Sequence, residues 1–155
     1  MDVRIETYPA RLAACARHVG PYEQVDGTFK RMFEWASAAD VLDEDTLVLG
    51  LSYDSPETVP ATALRYDVCI TLAEPVAALP DWIRLDEVGG GRYAVHTLKG
   101  PYSGIGPAFR RLFGEWLPRS GETVDDRPCV EIYLNDPTEV PEAELLTEIC
   151  IPLRG

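Results

Sequence analysis

The stretch GPYEQVDGTFKRMF, residues 20–33, occurs again as GPYSGIGPAFRRLF, residues 100–113. Gly20, Pro21, Tyr22, Phe29, Arg31 and Phe33 fall on Gly100, Pro101, Tyr102, Phe109, Arg111 and Phe113 at an offset of 80. Gly114 then adds one residue, and Glu34-Trp35 meets Glu115-Trp116 at an offset of 81. That second offset carries Pro56 onto Pro137, Pro60 onto Pro141, Cys69 onto Cys150 and Leu72 onto Leu153. One alignment with one insertion explains all of these matches, so the chain reads as two copies of one unit. The first copy occupies 1–74 and the second 83–155, with the Pro-rich AEPVAALPDW (73–82) as the join. Together they are expected to make a single domain over 1–155.

Outward from the motif, each copy reads as βαββ. RLAACARH (11–18) and RYAVHTL (92–98) are first strands, and the Gly-Pro pair after each breaks the strand because proline has no N–H to donate. Phe29, Met32, Phe33 and Ala36 then recur at helical spacing, as do Phe109, Leu112, Phe113 and Trp116. Asp26 or Thr28 is expected to cap the first helix, and Pro118 to stop the second. TLVLGLSY (46–53) and LRYDVCITL (64–72) follow as one strand pair, CVEIYL (129–134) and ELLTEICIPL (144–153) as the other. Tyr66, Val68, Ile70 and Leu72 alternate with Arg65, Asp67 and Thr71, the period of half-buried antiparallel strands. The expected fold class is α+β: a tandem βαββ repeat with pseudo-two-fold symmetry, antiparallel sheet or sheets, and two main helices on one face. A duplication of this kind is expected to leave a cleft where neither copy fills the centre.

The composition narrows the function classes. A net charge of −12 argues against direct nucleic-acid binding, which needs a basic patch, and it attracts cationic ligands. The first ten residues hold no apolar run of a signal peptide, and no run is long enough to span a membrane, so a cytoplasmic protein without membrane contact is expected. Cysteines stand at 15, 69, 129 and 150 without a C-x-x-C, and the histidines are His18 and His96. No zinc spacing is present, so neither a metal nor a cofactor is expected, and the cysteines read as reduced, mostly buried residues.

The differences between copies are the candidates for function. Glu131 aligns with Gly50 and Tyr133 with Ser52, while the neighbours stay apolar in both: Val130 with Leu49, Ile132 with Leu51. Two readings of Glu131 are open. It is a solvated charge on an outward face, or a carboxylate held in a pocket. A buried carboxylate costs several kcal/mol unless paired. An arriving cation would supply the partner, and aromatic walls would add about 1–2 kcal/mol. Tyr22, Tyr53, Trp82, Tyr93, Tyr102, Trp116 and Tyr133 are the available walls. Lys30-Arg31 and Arg110-Arg111 read as solvated helix faces. His96, aligned with Ala16, reads as a structural strand histidine with the option of titrating in the site.

YDSPETVPATALRYDVCITL (53–72), GGGRYAV (89–95), Gly-Pro-Tyr before a helix, and RPCVEIYLNDP (127–137) together resemble the DNA gyrase inhibitor-like family. That family shares a tandem βαββ domain with the effector-binding domains of AraC-type and MerR-type regulators. The resemblance covers essentially the whole chain and leaves no helix-turn-helix segment over, which implies a stand-alone effector-binding module. It implies a central small-molecule pocket in which a strand carboxylate, here Glu131, receives lipophilic cations. The ligand-binding set expected on this basis is Glu131, Tyr133, Tyr53, Trp116, Tyr93, Tyr22 and Trp82. Three function classes follow. The first is capture of amphipathic, cationic compounds in xenobiotic sensing or protection. The second is hydrolysis of cyclopropanoid alkylating toxins, with Glu131 as general base. The third is inhibition of DNA gyrase, or action on a regulator, by protein contact.

Overall fold

The computed structural model describes all residues 1–155. In chain order, the first repeat forms β1 (Arg4–Tyr8), β2 (Arg11–Val19), α1 (Asp26–Ala38), β3 (Val48–Ser52) and β4 (Arg65–Thr71). The second forms β5 (Arg84–Val88), β6 (Gly91–Lys99), α2 (Ile105–Arg111), a π-helical turn (Leu112–Trp116), α3 (Leu117–Ser120), β7 (Cys129–Tyr133) and β8 (Leu146–Pro152). The α+β class holds, and every strand pairing is antiparallel. Each repeat has one strand more than the βαββ pattern, because Arg4–Tyr8 and Arg84–Val88 are also strands.

Those two additional strands are exchanged. β1 pairs with β6 of the second repeat, and β5 pairs with β2 of the first. The chain accordingly forms two compact units, one of residues 1–9 with 90–155 and one of residues 10–89, whose limits cross the sequence repeats. In the first unit the strand order is β1-β6-β8-β7, and in the second it is β5-β2-β4-β3. Matched ion pairs accompany the exchange. Arg4 of β1 reaches Glu148 at 2.6 Å, and Arg84 of β5, eighty residues later, reaches Asp67 at 2.6 Å. Glu148 and Asp67 are themselves equivalent at the second offset of the repeat.

In each unit one helix covers one face of the sheet. Met32 and Ala36 of α1 pack on Ala14, Ala16, Val68 and Ile70. Ala108 and Leu112 pack on Ala94, Ile149, Ile151 and Leu153. The alanines on β2 and β6 let the helix backbone approach closely, and this apolar burial is the main source of stability.

The Gly-Pro motif has a backbone cause. Gly20 and Gly100 have φ of +136° and +134°, a region L side chains rarely adopt. Both end their strand by donating an N–H to the strand-entry carbonyl of Leu64 or Leu145. A 3-10 turn at Tyr22–Gln24 or Tyr102–Gly104 then leads into the helix. The turn takes over the entry that a cap side chain would have made. Val25 stands at the N-cap of α1 with no side-chain cap bond, so neither Asp26 nor Thr28 caps it. Pro118 does not stop the second helix either. It lies in the first turn of α3, where a missing N–H is harmless, and the helix ends at Gly121 in a left-handed conformation. The inserted Gly114 lies inside the π-helical turn. Ala36 lies four positions after Met32, and Leu117 five positions after the equivalent Leu112, yet both pairs face their cores. The π-turn absorbs the additional residue without rotating the apolar stripe away.

Candidate functional site

Strand β7 splits its residues between two environments. Val130 and Ile132 stand beside Cys150 and Glu148 on one face. Glu131 and Tyr133 stand beside Ile149 and Thr147 on the other, and Ile149 belongs to the core under the helix. Glu131 therefore points to the helix-covered face and is 6% exposed. The Tyr133 hydroxyl donates to its Oε2 at 2.6 Å, from two residues along the same strand. The Tyr133 ring in turn meets Tyr102 edge-on at 5.4 Å. Burial, with a smaller contribution from the Glu131 charge, pushes the nearby Cys129 thiol up to about 12.

The copies differ here in a compensated way. In residues 10–89, Ser52 stands beside Tyr66, whose ring meets Tyr22 at 5.6 Å. In the other unit Tyr133 stands beside Thr147, and the ring meeting the equivalent Tyr102 comes from Tyr133. The phenol has moved from the fourth strand of the repeat to the third, and a small residue has taken its former place. The Ser52–Tyr133 difference thus exchanges ring for ring within each unit. The move has two chemical consequences. It brings a hydroxyl into reach of the Glu131 carboxylate, and it leaves Thr147 fully buried with its Oγ1 lacking any hydrogen-bond partner. An unpaired buried hydroxyl costs about 1–3 kcal/mol. The alignment that paired Ser52 with Tyr133 also pairs Tyr66 with Thr147, so the signal for Thr147 was present in the repeat and went unread.

Two other acids, the buried Asp67 and the half-buried Glu148, have structural roles. Asp67, 0% exposed, lies on the sheet face away from α1. It accepts from Arg17, from Arg84 at 2.6 Å and from the Tyr53 hydroxyl at 2.8 Å. Burial alone would raise its pKa, but these bonds outweigh burial and hold it below the usual carboxylate range. Burial and the bond to Asp67 raise Tyr53 well above an ordinary phenol. Glu148 accepts from Tyr8 at 2.8 Å and from Arg4. Sequence reading set Asp67 in an ordinary strand alternation and missed this network, because Arg84 arrives on an exchanged strand.

The remaining expected site residues each have their own partners within their unit. Trp116 packs against the core under the second helix. Tyr93 lies on the opposite sheet face from Glu131, beside Pro152, with Arg127 over its ring at 4.7 Å, so it does not wall the same surface. Among residues 10–89, Tyr53 belongs to the Asp67 network, Tyr22 bonds the Asp54 carbonyl at 2.7 Å, and Trp82 carries the Arg31 guanidinium at 4.1 Å. His96 Nδ1 meets the Asp2 carbonyl oxygen at 2.9 Å. None of the four cysteines is in a disulfide, and the register-paired Cys15 and Cys69 touch at 3.1 Å. No helix is long and apolar enough to cross a membrane.

A family profile described as the GyrI-like small molecule binding domain matches residues 1–154. The chain belongs to the GyrI-like family. Among its GyrI-like relatives is a DNA gyrase inhibitor of Edwardsiella piscicida, 33% identical, with 99% of each chain covered. The EcmrR C-terminal domain superposes with a TM-score of 0.84 over 99% of this chain and 97% of that one, at 16% identity. A structure of SAV2435 bound to tetraphenylphosphonium superposes at 0.70, over 100% and 95%, at 14% identity. At those identities the two structures establish a shared GyrI-like fold. The family description makes this a small-molecule binding domain.

Proposed function

We propose that this GyrI-like protein captures amphipathic, cationic small molecules at Glu131, in xenobiotic sensing or protection. The observation that carries the reading is a carboxylate 6% exposed on an apolar strand, touched by a phenol that can yield its place. An aromatic ring pair, Tyr133 and Tyr102, stands beside it to receive a hydrophobic cation. The tetraphenylphosphonium held by a protein of the same fold supports the same ligand chemistry. A cation meeting Glu131 away from water gains more than it would from an exposed acid, because the local dielectric is lower.

The test is a titration of hydrophobic cations followed by tryptophan fluorescence, in wild type and Glu131→Gln. The substitution keeps the shape and removes the charge. It is expected to weaken cation binding by about tenfold to a hundredfold, the range of a charge-assisted bond. Equal binding by the two proteins, or no binding across a varied panel, contradicts the reading.

The 33% identity with a DNA gyrase inhibitor favours a second reading, contact with gyrase through the acidic surface. A supercoiling assay with purified gyrase decides it. Inhibition at micromolar protein supports this reading, and unchanged supercoiling removes it.

A further inference from the structure

The exchange of Tyr66 for Thr147 leaves a hydroxyl that the fold itself does not use. Thr147 stands directly opposite Tyr133 on β8, on the same sheet face as Glu131 and diagonal to it. It is 0% exposed, and its Oγ1 has no hydrogen-bond partner. Diagonal neighbours on one sheet face lie within reach of a common group. A tetrahedral nitrogen at about 2.9 Å from each of two oxygens bridges them when they are roughly 4.5–5 Å apart. The rings beside Thr147 lie toward the solvent side of the neighbourhood. Tyr133 is half-buried and Tyr102 is 37% exposed, so a swing of the Tyr133 ring uncovers the hydroxyl.

We propose that the Glu131 site selects cations that carry N–H groups over cations enclosed in carbon, because one N–H meets Glu131 while a second meets Thr147 Oγ1. This rests on the reading that Glu131 receives cations, and it names the class within them: protonated secondary and primary amines. A quaternary ammonium or phosphonium satisfies the charge but leaves the Thr147 hydroxyl unpaired. An ammonium satisfies both.

The experiment compares dibenzylammonium with dibenzyldimethylammonium by calorimetry. The two share rings and charge and differ in N–H groups. Wild type is expected to bind the first about five- to tenfold tighter, the range of one hydrogen bond. Thr147→Val is expected to lower the ratio severalfold by weakening dibenzylammonium alone, and Thr147→Ser to preserve the preference. In the empty protein Thr147→Val is expected to melt at a higher temperature, since it removes an unpaired buried hydroxyl. A ratio near one in wild type, a ratio unchanged in Thr147→Val, or a lower melting temperature for that variant overturns the inference. Those results leave the cation reading standing if Glu131→Gln weakens both ligands. If neither ligand binds, both readings fall.

Discussion

Two buried acids and one half-buried acid on equivalent scaffolds have been given different surroundings. Asp67 is enclosed by two arginines and a tyrosine, Glu148 by an arginine and a tyrosine, and Glu131 receives a tyrosine hydroxyl on the helix-covered face. For Asp67 the partners make a stability element with a defined pH dependence. Its folded pKa is lowered, so its contribution is complete above the unfolded value of about 3.9 and is lost as pH falls toward the folded value. Asp67→Asn is expected to destabilise by about 2–3 kcal/mol at pH 7, less than for a fully enclosed pair because both guanidinium groups remain 39% exposed. Thermal melts between pH 7 and pH 2 check this. The gap between wild type and Asp67→Asn should close as acid protonates Asp67, and a gap independent of pH would contradict it. Glu131 was legible because it differs from Gly50. Asp67 was not, since an alternating strand gives the same pattern whether its outward acid meets water or two arginines.

At the scale of elements, the helices and the six longer-patterned strands could be read because their periodicities are strong. β1 and β5 could not: RIETY and RLDEV are short, charged and without strict alternation. Their shared Arg-aliphatic start, Arg4-Ile5 and Arg84-Leu85, does lie on the offset of the repeat and was the available signal. No local pattern states which repeat a strand joins, so the exchange needed tertiary information. Capping failed as a guide for a similar reason, because a 3-10 turn governed by a positive-φ glycine sets the helix entry. The π-turn gives a sharp prediction. Deleting Gly114 restores the spacing of α1 and should leave the melting temperature within a few degrees of wild type. Deleting Arg110 from the regular α2 should rotate every later residue by about 100° and unfold the unit. Circular dichroism melts of both variants check it, and equal damage from the two deletions would show that the π-turn is not what accommodates the insertion.

For the whole molecule, the repeat explains the economy of the design. The same strand order and the same helix placement serve both units, and chemistry is introduced at Glu131, Tyr133 and Thr147 against Gly50, Ser52 and Tyr66. The family fold was open to sequence reading because Gly-Pro-Tyr and the paired strands recur. The composition of the site was open only in part, because the movement of one ring between adjacent strands appears only once their register is known. A net charge of −12 means that any cation is drawn to this protein, so the central claim concerns one acid against that general field. Calorimetry with tetraphenylphosphonium on wild type, Glu131→Gln and Glu139→Gln separates the two. Both variants remove one negative charge, and Glu139 is exposed on a loop. The account predicts that Glu131→Gln weakens binding at least about tenfold while Glu139→Gln leaves it unchanged within about twofold. Equal, small losses in both variants would mean that the surface field, and not Glu131, holds the cation.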